Sequence, residues 1–458
     1  MRVVICGAGQ VGLGIAERLA GEQNDVSIID SDARRIQMVT EQIDVRGVVG
    51  WGSHPDVLAR AGIDQADMLI AVTLHDEVNM VACQVAHALF NVPTKVARIR
   101  AQTYLAPEWR DLLSRDHLPI DVVISPEIEV GEMVLRRLSL PGAIDTVSFA
   151  DGAIVVVGVL CGEECPIVDT PLSQLTQLFP DVQATIVAIS RAGKTQVPRS
   201  TEQLQTGDIA YFVAKADQVQ RALGIFGHDE APGQRIVIAG GGNIGFYVAS
   251  ELERRNPLAR IKVIEPNRTR AQSIAELLSR AVVLNGDSLD RTILDEAGVG
   301  EADTMIALTN DDRINILSCL LSKQIGARRI LALLNEQGYA AFARGLGIDA
   351  HVNPRQITVS KVLQHVRRGR IRGVHALLDG SGEVIEAEAL ETSPLVGKTL
   401  RDLDLLDGLR IGAIVRNGQV LQPRGDFVVR AHDRVVLFAL ADRIKRVEQL
   451  FRVALEFF

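Results

Sequence analysis

The stretch RVVICGAGQVGLGIAERLAGEQNDVSIID, Arg2 to Asp30, decides the fold. An apolar run, Val3 to Ile5, leads into Gly7, Gly9 and Gly12 in the order G-x-G-x-x-G, and apolar Val11, Ile15 and Leu19 follow at helical spacing. That spells strand, tight turn and helix. A second apolar run from Val26 to Ile29 ends on the carboxylate of Asp30, 18 residues past Gly12, close to the roughly 20 that a dinucleotide site needs. Gly7 permits the turn, Gly9 lets backbone amides approach a pyrophosphate, and Gly12 lets the helix pack close to its strand. The helix N-terminus adds unpaired N–H groups and partial positive charge. Gly7, Ala8, Gly9, Gln10, Val11 and Gly12 are therefore the expected phosphate-binding turn, and Asp30 the expected partner of the ribose hydroxyls.

Working outward, the stretch recurs. RIVIAGGGNIG, Arg235 to Gly245, repeats RVVICGAGQVG, Arg2 to Gly12, so that Gly240, Gly241, Gly242, Asn243, Ile244 and Gly245 form a second turn and Glu265 stands where Asp30 stood. The match continues from AGIDQADMLIAVTLHDEVN (Ala61 to Asn79) to AGVGEADTMIALTNDDRIN (Ala297 to Asn315). Two copies of one βαβαβ pattern predict two doubly wound parallel sheets. Strands are expected over Met68–Thr73, Met305–Thr309 and Val96–Arg100. Their carboxyl ends belong at the crevice where such folds bind ligands, which marks Thr73, Leu74, Thr309 and Asn310. Arg98 is a candidate nucleotide contact or a solvated strand-end charge; in the second copy its place is taken by Leu333.

Each copy hands over to a matching connector. ISPEIEVGEMVLRRL (Ile124 to Leu138) aligns with VNPRQITVSKVLQHV (Val352 to Val366), with Ser125 or Asn353 as N-cap and Pro126 or Pro354 at the first helical position. Val134, Leu135 and Leu138 form one apolar face, and Val362, Leu363 and Val366 another. Such a face needs cover, and a crossover helix docking on a neighbouring domain is the preferred reading. After each connector comes a strand-rich module: Ile154–Leu160, Ala184–Ile189 and Ile209–Ala214 read as strands and Gln218–Phe226 as a closing helix. AIVRNGQVLQP (Ala413 to Pro423) repeats AISRAGKTQVP (Ala188 to Pro198), and Asp433–Ala439 repeats Asp208–Ala214. The expected fold class is α/β: two tandem Rossmann-like domains, each followed by a small α+β domain. Their expected bounds are 1–125, 126–226, 233–352 and 353–458, with GHDEAPGQ (Gly227 to Gln234) as a hinge.

Composition narrows the function classes. The 458 residues are 47% hydrophobic and 23% charged, the balance of a soluble globular protein. A net charge of −8 argues against a nucleic-acid binder, which needs a basic footprint. Five cysteines, Cys6, Cys83, Cys161, Cys165 and Cys319, show no metal-type pairing, and Cys161 and Cys165 are expected to be plain thiols in a reducing cytoplasm. Apolar runs such as Ile154–Leu160 and Val435–Ala441 are too short to span a bilayer, so any membrane association is expected to be peripheral. An enzyme using NAD would need a proton donor or acceptor, and only His54 and His75 lie on suitable loops. Neither has an acid or nucleophile pattern beside it, and both are read as solvated. The basic run KVLQHVRRGRIR (Lys361 to Arg372) could face anionic lipid or a membrane partner, although most such runs are solvated helix ends.

Taken together, the glycine turn with Asp30, the strand end at Thr73, the VARIR strand, the Ser-Pro helix and the β-rich module, all in tandem duplicate, resemble the peripheral regulatory subunit of bacterial Trk-type potassium uptake systems. In that family each half is an RCK (KTN) unit. The resemblance implies a cytosolic regulator that binds NAD or NADH, with ATP or ADP as further candidates, and that gates a separate integral membrane K⁺-translocating subunit as a homo-oligomeric ring, a tetramer of tandem chains. It implies binding roles for Gly7, Gly9, Gly12, Asp30, Thr73 and Arg98, and for the second-copy glycines, Glu265, Thr309 and Asn310. Leu333 in place of arginine, and bulky Phe246 and Tyr247 after the second turn, depart from the pattern. The competing expectation is a soluble NAD-dependent oxidoreductase whose β-rich modules bind substrate.

Overall fold

The computed structural model describes residues 1–114, 116–229, 233–366, 371–377, 380–403 and 408–451. The chain forms two compact units. The first comprises Met1–Gly131, Leu333–Tyr339 and Asn353–Val366, and the second comprises Glu132–Ala332, Ala340–Val352 and Arg367–Phe458.

The first unit is built on strands β1 (Arg2–Cys6), β2 (Asp25–Asp30), β3 (Arg46–Val49), β4 (Met68–Ala71), β5 (Thr94–Arg98) and β6 (Val122–Ile124), with helices α1 (Gln10–Gly21), α2 (Ala33–Gln42), α3 (Pro55–Arg60), α4 (Asp76–Phe90) and the start of α5 (Pro126–Ser139). The strands pair in parallel in the order β3-β2-β1-β4-β5-β6, so the order reverses between β1 and β4. Both faces are covered: Leu69, Ala71 and Ala97 pack on one side, Val3, Ile5, Ile28 and Ile70 on the other. This burial on two sides is what the unbroken apolar runs of a parallel sheet require.

β4 and β5 end earlier than their sequence reading, and so does the Met305–Thr309 strand, which spans Thr304–Ala307. The N–H of Val72 still donates to Cys6 O at 2.8 Å, but that of Thr73 donates to Asn79 Oδ1 at 2.9 Å, so the chain leaves the ladder there. The N–H groups of Arg100 and Ala101 donate to the Asp76 carboxylate at 2.8 to 3.0 Å, and β5 stops at Arg98. In the second copy Asn315 takes the N–H of Thr309 in the same way.

The second unit carries β7 (Ala143–Phe149), β8 (Ile154–Leu160), β9 (Ala184–Arg191), β10 (Lys194–Gln196) and β11 (Ile209–Lys215) with α6 (Leu172–Leu178) and α7 (Val219–Ile225). The second Rossmann copy follows as β12 (Arg235–Ala239), β13 (Arg260–Glu265), β14 (Val282–Asn285), β15 (Thr304–Ala307), β16 (Arg329–Leu333) and β17 (Ala350–Val352), with α8 (Asn243–Arg255), α9 (Arg268–Leu277), α10 (Arg291–Glu296), α11 (Asp312–Ile325) and α12 (Gln337–Gly345). Its order, β14-β13-β12-β15-β16-β17, repeats that of the first sheet. After α13 (Pro354–Val366) come β18 (Ile371–Ala376), β19 (Gly382–Glu388), β20 (Leu409–Arg416), β21 (Gln419–Leu421) and β22 (Arg434–Leu440). The two smaller sheets are antiparallel, in the orders β10-β9-β11-β8-β7 and β18-β19-β22-β20-β21.

The connector helices are exchanged between halves. In the first unit α13, which follows the second Rossmann copy in sequence, lies on α1 of the first: Val362, Leu363 and Val366 join Ile15 and Leu19 in one core. A Cβ on Gly14 of α1 would sit 3.1 Å from Val359 Cγ2, so the approach depends on glycine there. Arg355 reaches Glu17 at 3.5 Å and Lys361 reaches Glu129 at 3.3 Å. Asn353 caps α13 by accepting from the N–H of Gln356 at 3.0 Å. In the second unit Glu132 of α5 accepts from Tyr247 Oη at 2.7 Å and pairs with Arg255, both on α8. The preferred reading of a crossover helix therefore holds.

Among the strands with no counterpart in the sequence reading are β7, β18 and β19. GEVIEAE is buried along its whole length although it carries three glutamates. Glu386 pairs with Arg434 at 2.5 Å, and Glu388 pairs with Arg372 and His432. Paired charges can be buried where lone ones cannot, and the alternation of polar residues hid the strand. The antiparallel sheets stack face to face through Phe149, Tyr211, Val384 and Phe438. All five cysteines are buried free thiols. Among the described residues no helix is long and apolar enough to cross a membrane.

Candidate functional site

The first crevice opens where the strand order reverses, at the carboxyl ends of β1 and β4, the position at which open α/β sheets take ligands. Gly7 has φ +109°, and a Cβ there would lie 3.0 Å from Thr73 N, so the turn is pressed against the end of β4. A Cβ on Gly12 would fall 1.8 Å from the carbonyl oxygen of Gly7, so only glycine lets α1 start this close to its own turn. Gly9 differs from both: nothing in the chain lies within 4 Å of its missing Cβ. Its lack of a side chain serves open space rather than packing.

Capping sharpens the point. Helices α2, α9, α10 and α11 each begin with a side chain, Asp32, Asn267, Asp290 or Asp311, that accepts from a first-turn N–H. Helices α1 and α8, which follow the glycine turns, have Gly9 and Gly242 as N-caps, no capping side chain and no acid in the first turn. Their amides and the positive end of each helix dipole remain available to an anion.

Asp30, with a side chain 10% exposed, accepts from Ala8 N at 2.8 Å and from Asp32 N at 2.9 Å. It ties the glycine turn to the end of β2 before any ligand arrives. Each carboxylate oxygen keeps a second acceptor site for a hydroxyl. Glu265 does the same in the second copy, accepting from Gly241 N at 2.8 Å and Asn267 N at 2.9 Å. Gly241 rather than alanine is needed there, because a Cβ would come 2.5 Å from Ile274 Cδ1.

Arg98 stands at the end of β5, with its Nε buried and without a hydrogen-bond partner. Burial first and the neighbouring Arg100 second lower its pKa, while Glu127 and Asp76 oppose them. A guanidinium so placed favours an incoming anion. Sequence reasoning missed what positions this group. Asn79 is wholly buried; its Oδ1 accepts from Thr73 N and Oγ1, at 2.9 and 2.7 Å, and its Nδ2 donates to Arg98 O at 2.9 Å. Asn315 holds Thr309 through the same bonds, at 2.9 and 2.7 Å. The signal was present in the matched ends HDEVN and DDRIN, where the asparagine recurs at one place in both copies.

The remaining predicted positions fall around the same two crevices. Gln10 and Asn243 are exposed on the first turns of α1 and α8, Val11 and Ile244 are half-buried behind them, and Leu74 and Asn310 are exposed after β4 and β15. The second crevice differs in its cation. Leu333 is buried where β5 carries Arg98, and Arg270 of α9 donates from Nε to Gly241 O at 2.8 Å while lying over the Phe246 ring. His54 and His75 are exposed residues preceding α3 and α4. In the basic run, Lys361 and Arg372 are paired with Glu129 and Glu388, and residues 367–370 lie outside the described residues.

Comparison with known proteins agrees with this organisation. The TrkA-N domain model matches residues 3–126 and 236–354, and the TrkA-C domain model matches 156–227 and 384–452. The chain is 80% identical over its full length, and that of the relative, to the Trk system potassium uptake protein TrkA of Azorhizobium caulinodans. It is 41% identical, again full length on both sides, to the protein of that name from Halomonas elongata. Among solved structures, the GsuK RCK domain aligns with TM-score 0.61 at 19% identity over 98% of this chain and 94% of the other. The GsuK channel bound to NAD aligns with TM-score 0.60 at 18% identity, covering 98% and 78%; at such identities the likeness concerns the fold alone. Two glycine-turn sheets and two antiparallel modules, matched in tandem and by full-length relatives, place this chain in the TrkA family, the regulatory and non-enzymatic component of Trk potassium uptake.

Proposed function

We propose that the first crevice binds NAD or NADH, with ATP or ADP as competing nucleotides, and that binding there controls a separate membrane subunit that conducts K⁺. The observation that carries the reading is the uncapped start of α1 beneath the open space at Gly9. The first-turn amides of α1 hold the pyrophosphate, Asp30 takes the adenosine ribose hydroxyls, and Arg98 supplies positive charge from β5. Asn79 keeps Thr73 and Arg98 in register. A dinucleotide's nicotinamide would be a binding handle here, with no proton donor or acceptor assigned to it. The name of one solved fold relative, a GsuK channel bound to NAD, agrees with this ligand class.

For the ligand to act as a signal it must bind one conformation of the protein more tightly than another, with coupling of about 1 to 3 kcal/mol. Chains of this kind would act as a homo-oligomeric ring on the cytoplasmic face of the membrane, held there by the K⁺-translocating subunit. Co-purification of the full chain with that subunit tests the association. Its absence in the presence and in the absence of nucleotide would remove the reading.

Asp30 also sets a preference. A carboxylate facing the ribose repels a 2′-phosphate, moderated by Arg35, whose Nη1 lies 3.8 Å from Asp30. Asp30→Asn is expected to weaken NADH binding by about tenfold, the loss of one charge-assisted hydrogen bond. It should also narrow the NADH to NADPH affinity ratio. Calorimetric titration with both cofactors measures each, and an unchanged ratio would remove Asp30 from the ribose.

A further inference from the structure

The antiparallel modules enclose a cavity of about 380 Å³, lined mostly by the first of them, that the nucleotide reading leaves unused. Its size lies at the lower end of small-molecule pockets, about 300 to 1,000 Å³. The floor is apolar: Phe212 and Phe226 stack with ring centroids 5.5 Å apart at an interplanar angle of 14°, and Phe179 and Leu175 continue the surface. Against this floor stand three arginines, Arg199, Arg410 and Arg424, and among the described residues no acidic one lines the cavity. In a chain of net charge −8 that is a local reversal of sign.

Several arginines of these modules are paired: Arg191 with Asp208, Arg416 with Asp433, Arg434 with Glu386. Among the described residues no side-chain hydrogen bond or ion pair engages the guanidinium of Arg199, Arg410 or Arg424. Arg199 and Arg424 are exposed at the rim, while Arg410 is half-buried on β20. The repeat makes Arg410 stand out further. Its equivalent in the first module is Thr185, which lines the same cavity, whereas Arg199 and Arg424 are equivalent to each other. A half-buried cationic side chain without a counter-charge is disfavoured unless something anionic completes it.

We propose that this cavity binds a small amphipathic anion, its carboxylate or phosphate held by Arg410 with Arg199 and Arg424 at the mouth, and its apolar body lying on the Phe212–Phe226 stack. The site joins residues of both antiparallel modules, since Arg410 and Arg424 come from the second and the aromatic floor from the first. A ligand there would therefore bear on how the modules pack. At that seam a Cβ on Gly412 would already come 2.4 Å from Val213 Cγ2.

Calorimetric titration of the full chain with decanoate, with 1-naphthyl phosphate and with uncharged decanol tests the proposal. Both anions are expected to bind at one site per chain, and decanol at least about tenfold more weakly, the worth of a charge-assisted contact. Arg410→Gln should weaken anion binding about tenfold while Arg410→Lys, which keeps the charge but loses the planar fork, retains most of it. Should Arg410→Gln not fold, the double variant Arg199→Gln/Arg424→Gln changes only exposed side chains and is expected to lose about threefold or more. Equal affinity for decanoate and decanol, equal anion affinity in all variants, or no anion binding by the wild-type chain would each overturn the proposal. The NADH-dependent melting shift, read in the same samples, should be unchanged by Arg410→Gln, which separates this site from the glycine-turn crevice.

Discussion

Gly9→Val is expected to abolish the NADH-dependent rise in melting temperature while leaving the melting temperature of the ligand-free chain nearly unchanged. The two halves of that result rest on one geometry. Gly9 sits at φ −71° and ψ −176°, a conformation open to any residue, and nothing lies within 4 Å of its Cβ position. Valine can therefore be accommodated by the protein. Its two methyl groups would occupy the space over the first-turn amides of α1, which is the space a pyrophosphate must enter. In the wild-type chain, ligand at 100 times its dissociation constant stabilises the fold by about 2.7 kcal/mol, and the variant forfeits that gain. A scanning-fluorimetry series against NADH concentration measures the difference, and Gly242→Val in parallel reports on the second crevice. An undiminished shift in Gly9→Val would remove the first crevice as the site.

The largest expected loss of stability lies elsewhere, at Asp145. Its carboxylate is 4% exposed, accepts from or pairs with His375 Nε2 at 3.0 Å, and lies 3.8 Å from Nη2 of Arg137, which is 3% exposed. Nε and Nη1 of Arg137 are buried without partners, so Asp145 is the counter-charge that this guanidinium has. Removing one member of a buried pair leaves an uncompensated charge and costs about 3 to 5 kcal/mol. Asp145→Asn should lower the unfolding free energy by that order in urea titration. Its acid limb should change too. Burial alone would raise the Asp145 pKa, but His375 and Arg137 more than offset it and hold the carboxyl below its usual range. Because the folded value is depressed, the stabilisation is complete above the ordinary aspartate value of about 3.9 and is lost as pH falls below it. The wild-type chain should therefore lose stability more steeply than the variant in that acid range. Parallel acid limbs would show that Asp145 is not charged in the folded state.

The parts of this fold that local chemistry dictates could be read in advance. The glycine turns, the acids at the ends of β2 and β13, the proline starts of α5 and α13 and the duplication itself follow from spacing alone. Contacts between distant segments were less legible. The stripe Val362, Leu363 and Val366 announced that α13 needs cover, yet nothing in the stripe says that α1, more than 300 residues earlier, provides it. The stacking of the two antiparallel sheets was likewise hidden, although Ile154 to Val159 is buried at every position, which requires a second layer over the exposed face of the sheet. β19 escaped because its three glutamates read as solvent-facing until the arginine and histidine partners of Glu386 and Glu388 are in place.

At the crevice the same division holds. The residues that a ligand would touch were marked by motif, whereas Asn79 and Asp76, which touch only the chain, were not. They terminate β4 and β5 and aim the strand ends, a role that appears only when Thr73, Arg98 and Arg100 are brought together. Leu333 and Arg270 show the reverse: a copy that keeps the turn, the acid and a helix arginine, Arg270 standing where α2 carries Arg35, but has lost the strand cation.

K⁺ flux through the Trk membrane subunit in sealed vesicles, measured with the full chain bound and with NADH added or withheld, puts the account under the most direct test. It predicts that flux with the wild-type chain changes on adding nucleotide and that flux with the Gly9→Val chain, bound equally well, stays constant. A response of the same size in both, or no response in the wild type at saturating nucleotide, would contradict it.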